Sequence, residues 1–410
     1  VTTSEPLDPD LPVGKRIQHF RTKAGMSREA LAAQLGKTVR WLKAVESGQI
    51  RQPRLPDLVR FAATLGVRDL ALLTGAVTGR LPVDAFLTRA HQALPAVQAA
   101  LGDYALAGHQ PPPDLRHLRE RIAFAWKARH ASPNHRTVLG ELLPALLHDA
   151  QTAARGYDGP RRAEGQALLA ETLVLSTFYL AYQPVASLVW RAKERAMAVA
   201  QDSGDTRVIA MAAWSLAHAH RDTGDWDSAH HVTEDALRML RSRLPGGPAE
   251  LLGLYGALQF EAAYTAARSG CSGEALHNLD EAERTARRLP AGYHQVMSSF
   301  SPSLMVANAV TVHVELRQGG EALRCATAGD FTAIPSIPRR SRHLIEVARA
   351  HHLRNDLAAS LDCVEAAVAT APETARFNGF ARQIVLDGTE ASGEVRRRAQ
   401  RLVEVAGLVA

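Results

Sequence analysis

The sequence predicts an all-α protein built as two helical parts in series, and three observations lead there. Ala and Leu recur along the whole chain while aromatic residues make up only 5%, a balance that favours helices over sheets. Apolar residues repeat at helical spacing between Gly and Pro stops. The charge is also unevenly divided. Residues 11–75 carry a net charge of +8, residues 1–10 carry −3, and everything after Gly75 sums to +1. A basic module on a near-neutral body is the footprint of a polyanion-binding domain.

Elements of the first part follow in order. Helical spacing begins near Val13, runs through Ile17 and Phe20, and stops at Gly25. Ser27 is placed to cap a short helix carrying Ala30, Leu31 and Leu35, ended by Gly36. Thr38 caps the next, with Leu42 and Val45 pointing inward and Gly48 as a left-handed stop. After a loop, QIRQPRLP, comes a helix with Leu58, Phe61 and Leu65, then Gly66 and a last turn with Leu70 and Leu73. Residues 76–114 read as a linker and connecting helix, the helix running from about Ala85 to Leu106 before the break GHQPPPD. From Leu115 onward the pattern is one of helix pairs, with turns near Pro184, Gly224, Gly270, Arg317 and Asn355. Two longer loops, Leu289–Pro302 and Gly329–Arg340, are candidates for a functional role.

Several function classes drop out. Three widely spaced cysteines, Cys271, Cys325 and Cys363, imply neither a disulfide framework nor a zinc knuckle. The acidic, Pro-containing start is unlike a signal peptide, and no apolar stretch is long enough to cross a bilayer. A cytoplasmic, nucleoid-associated protein without membrane contact is expected. No Walker loop, His-Glu-x-x-His, Gly-x-Ser-x-Gly or dinucleotide fingerprint occurs, so no enzyme, catalytic residue, cofactor or metal is expected. The His218/His220, His230/His231 and His351/His352 pairs lack a carboxylate or cysteine at ligand spacing in sequence and read as incidental.

Residues 12–75 resemble the Xre/Cro family of helix-turn-helix domains. The likeness rests on Ser27-Arg28-Glu29-Ala30-Leu31-Ala32, Gly36, Leu42-x-x-Val45-Glu46-Ser47-Gly48, Gln52-Pro53-Arg54-x-Pro56-x-Leu58 and Leu65-Gly66-Val67. It implies a five-helix domain whose third helix enters the major groove of double-stranded DNA. Val39, Arg40, Trp41 and Ala44 are then the candidate base readers. Arg40 leads because its fork matches the two acceptors of guanine, the alternative being a phosphate contact or a solvated charge. Trp41 either stacks on sugar-phosphate or folds back onto the domain. Arg28, Lys37, Thr38, Lys43, Arg51 and Arg54 are candidate phosphate contacts, with ordinary surface charge as the alternative. Arg21 and Glu46 hold positions that form a structural ion pair in related domains.

The segment 206–240 resembles a tetratricopeptide repeat, with Leu216 and Ala217 in its first helix, Gly224 and Trp226 at the turn, and Ala229, Ala236 and Leu237 in the second. Residues 115–410 thus read as a tetratricopeptide-like α-solenoid serving sensing and dimerisation. This body resembles that of actinobacterial Xre-type regulators, through Leu118-x-x-Arg121-x-x-x-Ala125-Trp126, Leu142-Leu143-Pro144-x-Leu146-Leu147-x-Asp149, Arg195-Ala196-Met197 and Gly273-x-Ala275-x-x-x-Leu279-Asp280-Glu281-Ala282. Where that group tends to carry Gly-Pro-Thr-Asn, this chain has Ser301-Pro302-Ser303-Leu304. The resemblance implies a homodimer on a palindromic operator and a peptide or small-molecule effector on the concave wall of first helices. Candidate ligand contacts there are Trp214, His218, Arg221, Tyr255, Gln259, Tyr264, Asn308, Arg342, Glu346 and Arg349. Core packing and surface ion pairing are the alternatives for each. A second functional reading is an adaptor that tethers a partner regulator or toxin to DNA without a small ligand.

Overall fold

The computed structural model describes residues 11–50, 53, 55–67, 70–75, 90–104, 111–181, 183, 185–290 and 292–406, and among them there are helices and no strands. The chain divides into two compact units, Val1–Arg89 and Ala90–Ala410.

In the first unit, α1 (Val13–Lys23), α2 (Arg28–Gln34), α3 (Val39–Glu46), α4 (Leu55–Thr64) and α5 (Leu70–Thr74) enclose one core. Ile17, Leu31, Leu42, Val45, Phe61, Leu70 and Leu73 fill it and are wholly buried. Local chemistry sets the helix ends. Ser27 accepts a hydrogen bond from Ala30 N at 3.1 Å and Thr38 accepts one from Trp41 N at 3.2 Å, so α2 and α3 both start on a side-chain cap. Gly36, at φ +63°, turns the chain between them. α1 crosses α3 so closely that a Cβ on Gly14 would lie 2.0 Å from the Val45 carbonyl oxygen.

The second unit begins with a shorter helix than expected: α6 spans Leu94–Gly102, while residues 90–93 are not helical. Residues 85–89 and 105–106 of the expected helix lie outside the described residues. Pro95 explains the late start, since proline suits the first helical turn and not its interior. Helix pairs then follow: α7 (Leu115–Ala131) with α8 (His135–Gly156), α9 (Gly159–Leu180) with α10 (Ala186–Ser203), and α11 (Thr206–Thr223) with α12 (Trp226–Arg241). Next come α13 (Ala249–Ser269) with α14 (Ser272–Ala286), α15 (Met305–Glu315) with α16 (Gly319–Thr327), and α17 (Ile337–Leu353) with α18 (Leu357–Thr370). The segments α19 (Pro372–Arg376), α20 (Gly379–Glu390) and α21 (Gly393–Ala406) finish the unit. Four expected turns fall on left-handed residues: Gly224, Gly270, Arg317 and Asn355. Pro184 lies outside the described residues.

First helices pack on first helices along the series α7, α9, α11, α13, α15 and α17, and α17 returns to α7. The unit therefore closes on itself. His130 on α7 bonds Ser336 Oγ through Nδ1 at 2.9 Å. Asn134 caps α8 with no side-chain bond. That task falls to Glu373, which accepts from Arg136 N at 2.6 Å and Thr137 N at 3.3 Å across more than 230 residues of sequence. The Arg136 guanidinium also covers the Phe377 ring at 5.0 Å.

Candidate nucleic-acid interface and ligand cleft

The helical period turns Leu42 and Val45 of α3 inward and leaves Arg40 and Lys43 exposed, with Val39 38% accessible. Thr38 is exposed at the same end and Ala44 is half-buried. The structure takes one of the two orientations open to Trp41: its ring stacks on Phe61, 5.7 Å between centroids and 11° from parallel. Lys37 lies over that ring at 4.9 Å and pairs with Asp57 at 3.0 Å. Arg28 pairs through Nε with Glu46 at 2.6 Å, leaving it partly accessible. Arg51 and Arg54 lie outside the described residues.

Glu46 organises this end of the domain. It is 1% exposed and accepts from Arg21 Nε at 2.6 Å on one oxygen and from Arg28 on the other. Burial alone would raise its carboxyl, but hydrogen bonds and charge from Arg21 and Arg28 outweigh burial and hold it below the usual carboxylate range. The Arg21–Glu46 pair was legible in the sequence; the third member was not. A carboxylate with two oxygens facing one arginine leaves room for a second cation, and that was the available signal.

In the second unit the residues expected on the inner wall separate into four groups. Trp214 and Asn308 line a small cleft, with room for about a water molecule, together with Ala257, Phe260, Leu304, Arg339, Ser298 and Phe300. Its walls come from first helices and from the loop after α14. That loop is packed inward: Met297, Ser299, Phe300 and Ser301 are buried, and Ser299 holds φ +62°. Phe300 presses on Gly256, where a Cβ would lie 2.2 Å from its ring.

His218, Arg221 and Tyr264 form a second group, a buried ionic cluster. Arg221 pairs with Glu261 and, at 3.1 Å, with Asp222, while its guanidinium covers Tyr264 at 4.2 Å. His218 Nε2 lies 2.5 Å from the other Glu261 oxygen. Burial pushes His218 down to about 4, with Glu261 acting against it. Arg342 and Arg349 belong to a parallel cluster, both at 2.6 Å from Glu346, with Arg349 also 2.8 Å from Glu315.

Tyr255 and Gln259 face elsewhere. Gln259 accepts from Thr285 on α14 at 2.6 Å, and Tyr255 bonds Arg241 at the end of α12. The two sit one turn apart on α13, opposite the stripe of Gly253, Ala257 and Phe260, so the same helix geometry that exposes one set to the cleft turns the other away. Their place on the inner wall is corrected accordingly. Tertiary packing gives His352 a carboxylate, Asp387 at 3.3 Å, whereas His220–Asp225 at 2.9 Å is a local contact across the Gly224 turn. Among the described residues no group of three such side chains is placed to hold a metal, and no helix is long and apolar enough to cross a membrane.

Residues 13–74 match the family model of a helix-turn-helix domain, and the chain carries a DNA-binding domain of that kind. No curated protein matches the chain. Among solved structures, PlcR of Bacillus thuringiensis, in complex with the peptide PapR7 and DNA, is similar at 12% identity over 86% of this chain and 98% of that one, TM-score 0.30. ComR of S. thermophilus, with DNA and its signalling peptide ComS, is similar at 17% identity over 67% and 93%, TM-score 0.24. At scores this low, the roles of individual residues rest on this chain's own geometry.

Proposed function

We propose that this chain is a ligand-responsive, sequence-specific transcription regulator of the actinobacterial Xre type. The observation that carries the reading is the outward face of α3, where Val39, Arg40 and Lys43 are exposed on a helix whose other side is locked into the core. In this reading Arg40 reads a guanine, Val39 and Ala44 meet thymine methyls, and Lys43, Arg51 and Arg54 hold phosphates. Trp41, stacked on Phe61, positions α3. The domain acts as a dimer on a palindromic operator. Its tetratricopeptide-like body shifts the spacing of the two heads when a peptide or small molecule binds, which takes a coupling of only about 1–3 kcal/mol. The mixed lining of the small cleft, with Ser298, Asn308 and Arg339 beside Phe260 and Phe300, suits a ligand better than the broad apolar groove that an adaptor requires.

Operator selection from a random DNA pool, followed by binding measured against salt, tests the DNA half. Arg40→Ala is expected to lose about 1–3 kcal/mol and to relax preference at one base pair. Arg51→Ala is expected to weaken all DNA alike and to flatten the salt slope by about one unit. Uniform loss over all sequences in both variants removes the assignment of Arg40 to base reading. A metabolite and peptide screen that leaves operator affinity unchanged removes the switch.

A further inference from the structure

The carboxylate at the end of α3 has one cation more than its charge requires. Arg21 alone answers Glu46: Nε donates to Oε1 at 2.6 Å and Nη2 to Oε2 at 3.3 Å, while Nη1 donates to the Met26 carbonyl at 2.8 Å. Arg21 is 9% exposed and Glu46 is 1% exposed, so the two make a buried and electrically closed pair. Arg28 brings a second guanidinium to an oxygen already in use. The group as a whole is two cations against one anion, and the surplus charge lies on the outermost member.

Arg28 meets Glu46 side-on. Its Nε donates to Oε2 at 2.6 Å, and among the described residues Nη1 and Nη2 donate to no acceptor. The side chain keeps 39% of its surface open. The N–H donors of an arginine lie in one rigid plane, so holding Nε sets the direction in which the terminal nitrogens point. The neighbouring carboxylate, Glu29, is held by Ser27 and by its own backbone N–H. Lys37 differs, because its charge is matched by Asp57 at 3.0 Å. Lys43 is exposed three residues before Glu46, which puts another cation on the same turn of α3.

We infer that Glu46 is a positioning residue for DNA binding: it holds Arg28 side-on so that the two terminal nitrogens of the guanidinium meet one phosphate of the duplex. This rests on the DNA-binding reading above and adds to it a contact made outside α3. A free surface arginine gives up side-chain freedom when it grips a phosphate, whereas one already fixed through Nε has little left to lose. The two-pronged match to phosphate oxygens survives, because it uses the nitrogens that Glu46 leaves alone.

The test measures binding of the full chain to a labelled mixed-sequence duplex of about 20 base pairs by fluorescence anisotropy, between about 50 and 200 mM salt. Arg28→Met is expected to weaken binding on the order of tenfold and to flatten the salt slope by about one unit. Its melting temperature should stay close to that of the unaltered chain, because Arg21 still neutralises Glu46. Glu46→Gln, measured below its melting temperature, is expected to weaken binding and flatten the slope as Arg28→Met does, although it deletes a negative charge. The double variant should bind no more weakly than Glu46→Gln alone. Arg28→Lys keeps the charge and loses the fork, and should stay several-fold weaker than the unaltered chain. A purely structural Glu46 predicts that Glu46→Gln melts earlier but binds as tightly or more tightly with an unchanged slope. That result, an unchanged slope in Arg28→Met, or full affinity in Arg28→Lys each overturns the positioning role while leaving DNA binding intact. An unaltered chain that fails to bind the duplex removes the DNA-binding reading and the positioning role together.

Discussion

Gly256→Ala is a perturbation whose sign depends on one neighbour. A Cβ at this position would lie 2.2 and 2.3 Å from two ring atoms of Phe300. Ordinary contact begins near 3.4 Å, so the ring must retreat by about 1 Å, the scale at which overpacking disturbs a core. Phe300 has little freedom to do so. It is 1% exposed, its N–H donates to Ser298 Oγ at 3.2 Å, and its carbonyl accepts from Gln295 N at 2.9 Å. Overpacking of this kind costs about 1–3 kcal/mol, against a gain of about 0.8–1 kcal/mol for replacing a mid-helix glycine by alanine. The net expected effect is a loss of up to about 2 kcal/mol. Phe300→Ala alone should cost about 3–5 kcal/mol. With the ring removed, only the helix gain remains, and Gly256→Ala should stabilise by up to about 1 kcal/mol. Urea midpoints for the four members of the cycle, followed by tryptophan fluorescence, read the reversal directly. Equal destabilisation by Gly256→Ala in both backgrounds would refute the close packing of this loop against α13.

Other outcomes follow from the same structure. Glu46→Ala leaves buried Arg21 without its partner and is expected to cost the first unit about 3–5 kcal/mol, measured by urea denaturation. Because the folded carboxyl of Glu46 sits below its ordinary value of 4.5, its contribution is full above that pH and is lost as pH falls through the folded value. Glu46→Gln should flatten that acid limb, and an unchanged limb would count against the assignment. Glu373→Ala removes the acceptor that caps α8 and is expected to cost about 1–2 kcal/mol. Amide exchange should quicken at Arg136 and Thr137 together with the region of α19; acceleration confined to α19 would mean that the cap contributes little.

What could be seen in the sequence was whatever a short window determines. Ser27 and Thr38 cap the helices they were expected to cap, because capping is decided within three residues. Turns at Gly224, Gly270, Arg317 and Asn355 were equally local. The long loop after α14 attracted notice for its length, but its polar composition gave no hint that Gln295, Ser298, Ser299 and Ser301 are buried. Some of their polar groups are satisfied within the loop, as where Ser298 N and Oγ both donate to Gln295 Oε1, and others by neighbouring helices, as where Arg339 donates to the Ser298 carbonyl. Arg129 was invisible for a similar reason: at helical spacing it looks like any surface arginine, yet it is 5% exposed with its guanidinium over the Phe178 ring of α9. Tyr255 and Gln259 were misplaced because helical phase alone does not say which side of α13 faces the cleft.

The bond from Glu373 to the start of α8 also carries a cost in time. An open row of hairpins can fold in the order in which it is made, each pair resting on the one before. Here the first turn of α8 waits for a residue 237 positions later than Arg136, which at about 5–20 residues per second is on the order of 12–50 s of synthesis. Until then α7 stands without its closing neighbour α17. The chain is thus expected to need protection during its own translation, and a growing chain stalled before Pro372 should be cleaved by protease near residue 135 far faster than the finished protein.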